Sequence, residues 1–140
     1  MRLIVDTNVL VSGLLSDTSA PALIVDAILQ GRLIAVMSRT TFAELEEVLH
    51  RPRLQERFRR ADVTPYVLLS ELENLAEFVT PRSSKATIRD EKDRPFLELA
   101  AHRPPVNYII TGDKDFESNR YEDVPVISAS LFAATVLRSK

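Results

Sequence analysis

The stretch Leu3-Ile4-Val5-Asp6-Thr7-Asn8 constrains this chain more than any other. Three consecutive apolar residues, with no polar residue alternating between them, specify a strand buried on both faces, as central strands of parallel sheets are. The run stops at an aspartate and two small polar residues. In open α/β sheets ligands bind outside the carboxyl ends of the strands, where Asp6 is expected to sit. A carboxylate delivered to that edge is a common way to hold a metal ion. Asp6 or Thr7 can equally cap the following helix, so the other acids must decide.

The rest of the chain repeats the alternation. A helix is expected over 9–15, and a second, capped by Thr18 or Ser19 with Pro21 in its first turn, ends at Gly31. Leu33 to Met37 reads as a strand and Ser38 to Leu49 as a helix, which Arg51-Pro52 interrupts. Arg53 to Arg60 reads as a short helix. Thr64-Pro65 opens a longer one, with Leu68, Leu69, Leu72, Leu75 and Ala76 at helical spacing. Phe78 to Thr80 is a third candidate strand, followed by a polar stretch over 82–92. A helix from Pro95 to Ala101, strands at Tyr108–Thr111 and Pro125–Ile127, and a final helix capped by Ser128 complete the series. Strands alternating with helices imply a parallel sheet of four to five strands covered on both faces, in a single domain over 1–140.

Composition excludes several classes. The chain has no cysteine, so disulfides and thiolate metal sites are out. No apolar run approaches the ~20 residues of a membrane span, and no signal-peptide pattern precedes the first strand, which reads as cytoplasmic. A net charge of −2 argues against a uniformly basic nucleic-acid binder. The charge is unevenly spread, however: Arg51, Arg53, Arg57, Arg59 and Arg60 crowd one segment, either a solvated helix face or a phosphate track.

Four carboxylates stand out by position. Asp6 ends the first strand and Asp113 the fourth, after Gly112. If those strands are neighbours about 4.8 Å apart, their terminal acids can share one ion. Glu44 lies on the helix whose buried face is Phe42, Leu45, Val48 and Leu49. Glu44 and Glu46 flank that stripe on opposite sides, and helical geometry does not choose between them. Thr41-x-x-Glu44 also matches a capping box, which would give Glu44 a backbone role. Asp93 stands at a helix start, with Asp90 and Glu91 as alternatives. Together such acids suit Mg²⁺ or Mn²⁺, hard cations that take oxygen ligands without His or Cys. A cation so held can orient a phosphodiester and acidify an attacking water. His50 and His102 have no evident partner and read as surface or packing residues.

Asp6-Thr7-Asn8 after a buried strand, a helical Glu44, Asp93 at a helix start, and Thr111-Gly112-Asp113-Lys114-Asp115-Phe116 together resemble a PIN domain, with a particular likeness to VapC-like toxins of prokaryotic toxin–antitoxin systems. The resemblance covers essentially the whole chain. It implies a three-layer α/β/α sandwich and a Mg²⁺- or Mn²⁺-dependent ribonuclease with acids at Asp6, Glu44, Asp93 and Asp113. It further implies supporting roles for Thr7, Asn8, Thr111 and Asp115, an RNA substrate, a cognate antitoxin and a homodimer. It favours Glu44 over Glu46. One departure is Arg94, where similar chains carry a small polar or acidic residue. Pro95 should hold Arg94 extended ahead of its helix, free to grip RNA, with Asp90 the alternative third acid.

Two other functions compete. A phosphatase with Asp6 as nucleophile would want a second acid in an Asp-x-Asp arrangement, and position 8 is Asn8. A catalytically inactive RNA- or protein-binding module of the same fold would be signalled by a missing acid, and none of the four is missing.

Overall fold

In the computed structural model, residues 1–81, 94–112 and 120–138 are described. Their elements run β1 (Arg2–Val5), α1 (Thr7–Leu15), α2 (Ala20–Leu29), β2 (Ile34–Met37), α3 (Arg39–Leu49), α4 (Pro52–Ala61), α5 (Pro65–Leu75) and β3 (Glu77–Phe78). The second half continues with α6 (Arg94–Ala100), β4 (Tyr108–Thr111), β5 (Arg120–Tyr121), β6 (Val124–Ser128) and α7 (Ala129–Leu131). The last helix passes directly into a π-helical stretch, Phe132–Leu137.

The strands form one sheet in the order β3-β2-β1-β4-β6-β5. Pairings are parallel except at one edge, where β5 runs antiparallel to β6. The sheet therefore has six strands rather than four to five. The additional one is β5, joined to β6 by a tight turn in which Glu122 (φ 51°) and Asp123 (φ 69°) are both left-handed. That is the mirror-image turn geometry favoured in two-residue hairpins.

Burial follows from β1. Leu3 and Val5 point into a large core shared with α1 to α5 and α7, while Ile4 joins Phe96, Leu99 and Ala100 of α6 on the opposite face. Both faces of the strand are thus covered, as its unbroken apolar run requires. Ser19 caps α2, its side chain accepting from Ala22 N at 3.2 Å, and Gly31 takes φ 77° just beyond its end. Gly13 marks the closest approach of α1 to α2: a Cβ there would stand 2.4 Å from Val25 Cγ2 and 2.5 Å from Pro21 O. At the amino edge of the sheet, Arg2 on β1 reaches past β2 to Glu77 on β3. Its Nε donates to Oε1 at 2.9 Å and its Nη2 to Oε2 at 2.7 Å. Among the described residues no single helix is long and apolar enough to cross a membrane; α1 and α2 together have the length but meet at 87°.

Candidate metal centre

The site begins where β1 ends. Asp6 N donates to Ile110 O at 2.9 Å, carrying the β1–β4 ladder one residue beyond Val5. Asp6 O then accepts from Val9 N and Leu10 N, so the residue occupies the N-cap position of α1. Its side chain, however, makes no capping hydrogen bond. The residue is only 8% exposed and its Oδ2 is fully buried. Because β1 lies between β2 and β4, the chain leaves it in one direction and returns on the other side. This is the crevice position of open parallel sheets.

Glu44 is delivered from α3. Ser38 caps that helix reciprocally with Thr41: Ser38 Oγ accepts from Thr41 N at 3.1 Å, and Thr41 Oγ1 accepts from Ser38 N at 3.0 Å. Thr41 is therefore the third residue of the capping box and not its first. The expected Thr41-x-x-Glu44 box does not form, and Glu44 is freed from backbone duty. Glu44 is half-buried beside the Thr7 side chain, which favours its ionised form, whereas Glu46 and Glu47 are exposed. Burial raises the Glu44 carboxyl above its usual range. The Thr7 side chain opposes that shift, the Glu47 charge adds to it, and the Arg51 charge offsets it. Glu44 thus stands beside Thr7, the residue that follows Asp6.

Thr111, the last residue of β4, is buried there too, its Oγ1 donating to Gly112 O at 2.9 Å. Asn8 is exposed on the rim. Asp90, Asp93, Asp113 and Asp115 lie outside the described residues. Among the described residues no three acids or histidines stand together as a metal cluster. The donors present nevertheless suit a hard cation. They are carboxylates and hydroxyls, buried or half-buried, and burial disfavours the ionised form of one carboxyl.

The PIN domain family profile matches residues 2–115, four-fifths of the chain and every element from β1 to β4. The chain belongs to the PIN domain family. PIN domains are typically nucleases and generally use divalent metals. This PIN domain is also similar to an uncharacterized protein of Methanocaldococcus jannaschii, MJ1680, at 26% identity over 123 residues, covering 88% of this chain and 77% of that one. No solved structure shows a significant match.

The arginine cluster of this PIN domain lies on and beside α4, whose inner face is Leu54 and Phe58. Most of its charges are partnered. Arg51 pairs with Glu47 at 3.4 Å, and Glu56 takes both Arg59 and, at 3.6 Å, Arg60. Arg57 Nη2 donates to Leu15 O at 3.2 Å, at the end of α1. Arg53 is exposed. Arg94 is the first residue of α6 and half-buried, not an extended residue ahead of the helix. A first helical position leaves no N–H to satisfy within the helix, so Pro95 is accommodated one residue later than expected. His50 Nδ1 stands 2.8 Å from Glu46 O at the end of α3, and His102 lies near Glu77, both away from the acids.

Proposed function

We propose that this PIN domain is a divalent-metal-dependent endoribonuclease hydrolysing RNA phosphodiester bonds, and that it is the toxin of a toxin–antitoxin pair. The observation that carries the reading is the Thr7–Glu44 contact, which joins a helix-borne acid to the strand end that carries Asp6. Asp6 and Glu44 would hold Mg²⁺ or Mn²⁺ with Asp93 and Asp113. A divalent cation bound by such ligands supplies charge stabilisation at the phosphoryl oxygens and acidifies a water.

This chain's residues do the remainder. Thr7 fixes the orientation of Glu44 and favours its ionised form. Thr111 occupies the strand end beside Asp6. The arginines of α4, with Arg94, are proposed to contact RNA phosphates or an acidic segment of the antitoxin, arginine being the better fork-shaped anion ligand. Pairing into a homodimer is proposed through the helical face on which Tyr66 and Val67 are exposed.

Incubation with mixed RNA, with and without EDTA, tests the reading. Wild-type protein should cut RNA only when Mn²⁺ or Mg²⁺ is free, and Asp6→Asn should abolish cutting. Binding of RNA without cleavage under any metal would mark an inactive RNA-binding PIN domain and overturn it.

A further inference from the structure

Beside the acids, toward β4 and β6, the carboxyl edge of the sheet opens into a recess of about 200 Å³. Three adjacent parallel strands end there in a row. Asp6 continues the β1–β4 ladder through Ile110, and Thr111 is paired with Ser128. Asn8, Ser12, Thr111 and Ser130 put an amide and three hydroxyls on the walls, while Val9, Pro21 and Ala129 supply apolar surface. Among the described lining residues none has a charged side chain.

Size, charge and surface chemistry each narrow the occupant. Small-molecule sites usually measure about 300–1,000 Å³, so this recess takes one ring system rather than a chain segment. Among the described lining residues a phosphate would find no cation, and it would face the neighbouring Asp6 carboxylate. Apolar surface flanked by an amide and hydroxyls suits a planar heterocycle, with a face to pack and polar edges to hydrogen-bond. Asn8 offers both a donor and an acceptor to such an edge, and the serine hydroxyls rotate to either role. Adjacent strands lie about 4.8 Å apart, so the recess begins one to two strand spacings from Asp6. That is the reach from a backbone phosphate to the base of its own nucleotide.

We infer that the recess bounded by Asn8, Ser12, Thr111 and Ser130 is a nucleobase subsite, seating the base of a nucleotide that flanks the phosphate at the acids. The subsite rests on the proposal that the substrate is RNA, and it gives cleavage a base preference at one position next to the cut.

Amide NMR titration of the full chain in EDTA, with adenosine, guanosine, cytidine and uridine in turn, tests this without cleavage. At least one nucleoside should shift the amides of Val9, Ser12 and Ser130, and free ribose should not. Ser12→Leu or Ser130→Leu, both at exposed positions, should weaken that binding at least tenfold. Sequencing of cut ends from a random RNA pool should show one biased position in wild type, flattened in Ser130→Leu.

Four outcomes overturn the subsite: no nucleoside moves these amides, ribose alone moves them, both filled variants bind as well as wild type, or the biased position persists in Ser130→Leu. If wild type cuts RNA yet binds no nucleoside, the subsite falls and the nuclease stands. If it binds a nucleoside yet cuts no RNA, the nuclease falls and the subsite stands. Should the leucine variants not fold, the wild-type titration still decides.

Discussion

Thr7 of α1 stands beside Glu44 of α3, and its side chain opposes the effect of burial on that acid. Thr7→Val keeps the shape and removes the donor. Glu44 should then titrate at higher pH than in wild type, as followed by carboxyl NMR. The acid limb of the RNA-cleavage profile should move the same way. A lower Glu44 pKa in the variant would show that the hydroxyl does not support the ionised form.

The raised pKa of Glu44 has a consequence for stability. Between the ordinary value of 4.5 and the raised folded value, the folded protein binds more protons than the unfolded chain. Stability therefore falls as pH rises through that window. Glu44→Gln removes the ionising group, so at pH 7 without metal the variant should melt above wild type, with the gap closing below pH 4.5. Mn²⁺ should raise the wild-type Tm and shift Glu44→Gln less, because a ligand that binds only the native state stabilises it. A variant melting below wild type at neutral pH would contradict this.

Gly13→Ala should destabilise despite the better helix propensity of alanine. The propensity gain is roughly 0.5–1 kcal/mol, whereas forcing a methyl into a closed contact typically costs about 1–3 kcal/mol. Val25 Cγ2 can rotate away, but Pro21 O is backbone and cannot. Denaturant melts should show a lower midpoint with an unchanged slope.

On α4, the arginines should not contribute equally to RNA binding. Arg51, Arg59 and Arg60 are already paired with glutamates, whereas Arg53 and Arg57 form no ion pair with a described carboxylate. Replacing Arg53 and Arg57 with glutamine should lower the salt slope of binding to single-stranded RNA by about 1.4, at roughly 0.7 per phosphate contact. Arg59→Gln should change it less. Equal slopes in all three proteins would make the cluster a solvated face.

The Arg2–Glu77 pair gives a separate pH dependence. Its hydrogen bonds hold the Glu77 carboxyl below its usual range. The stabilisation is present above the ordinary carboxylate pKa and lost as pH falls through the lower folded value. Glu77 is 40% exposed, so Glu77→Gln should cost less than about 1 kcal/mol at pH 7, vanishing in acid melts.

Several elements were legible in the residues because the signal was local. The apolar run at Leu3–Val5 announced a two-sided strand, and Ser19, Gly31, Pro65 and Ser128 marked helix ends through their own chemistry. Non-local facts were less accessible. That β1 lies beside β4 is a matter of strand order, which no hexamer encodes. The choice of Glu44 over Glu46 turns on which flank of α3 meets α1. Ser38 competed successfully with Thr41 for the cap because the helix starts at Arg39. The β5–β6 hairpin turns on Glu122-Asp123, without the Asn-Gly or Asp-Gly pair that advertises such a turn. Ser12 and Ser130 belong to no motif; only the folded edge brings them together.

Among the described residues the sheet ends on each side in a strand of two residues, β3 and β5. An extended polypeptide seeking to lengthen the sheet would find a template for scarcely one pair of ladder hydrogen bonds at either margin. Short edges of this kind are how native sheets avoid recruiting strangers. Association by strand addition is thereby discouraged, and any macromolecular partner is left to approach through helices and side chains. Recognition of that sort reads sequence and charge rather than bare backbone.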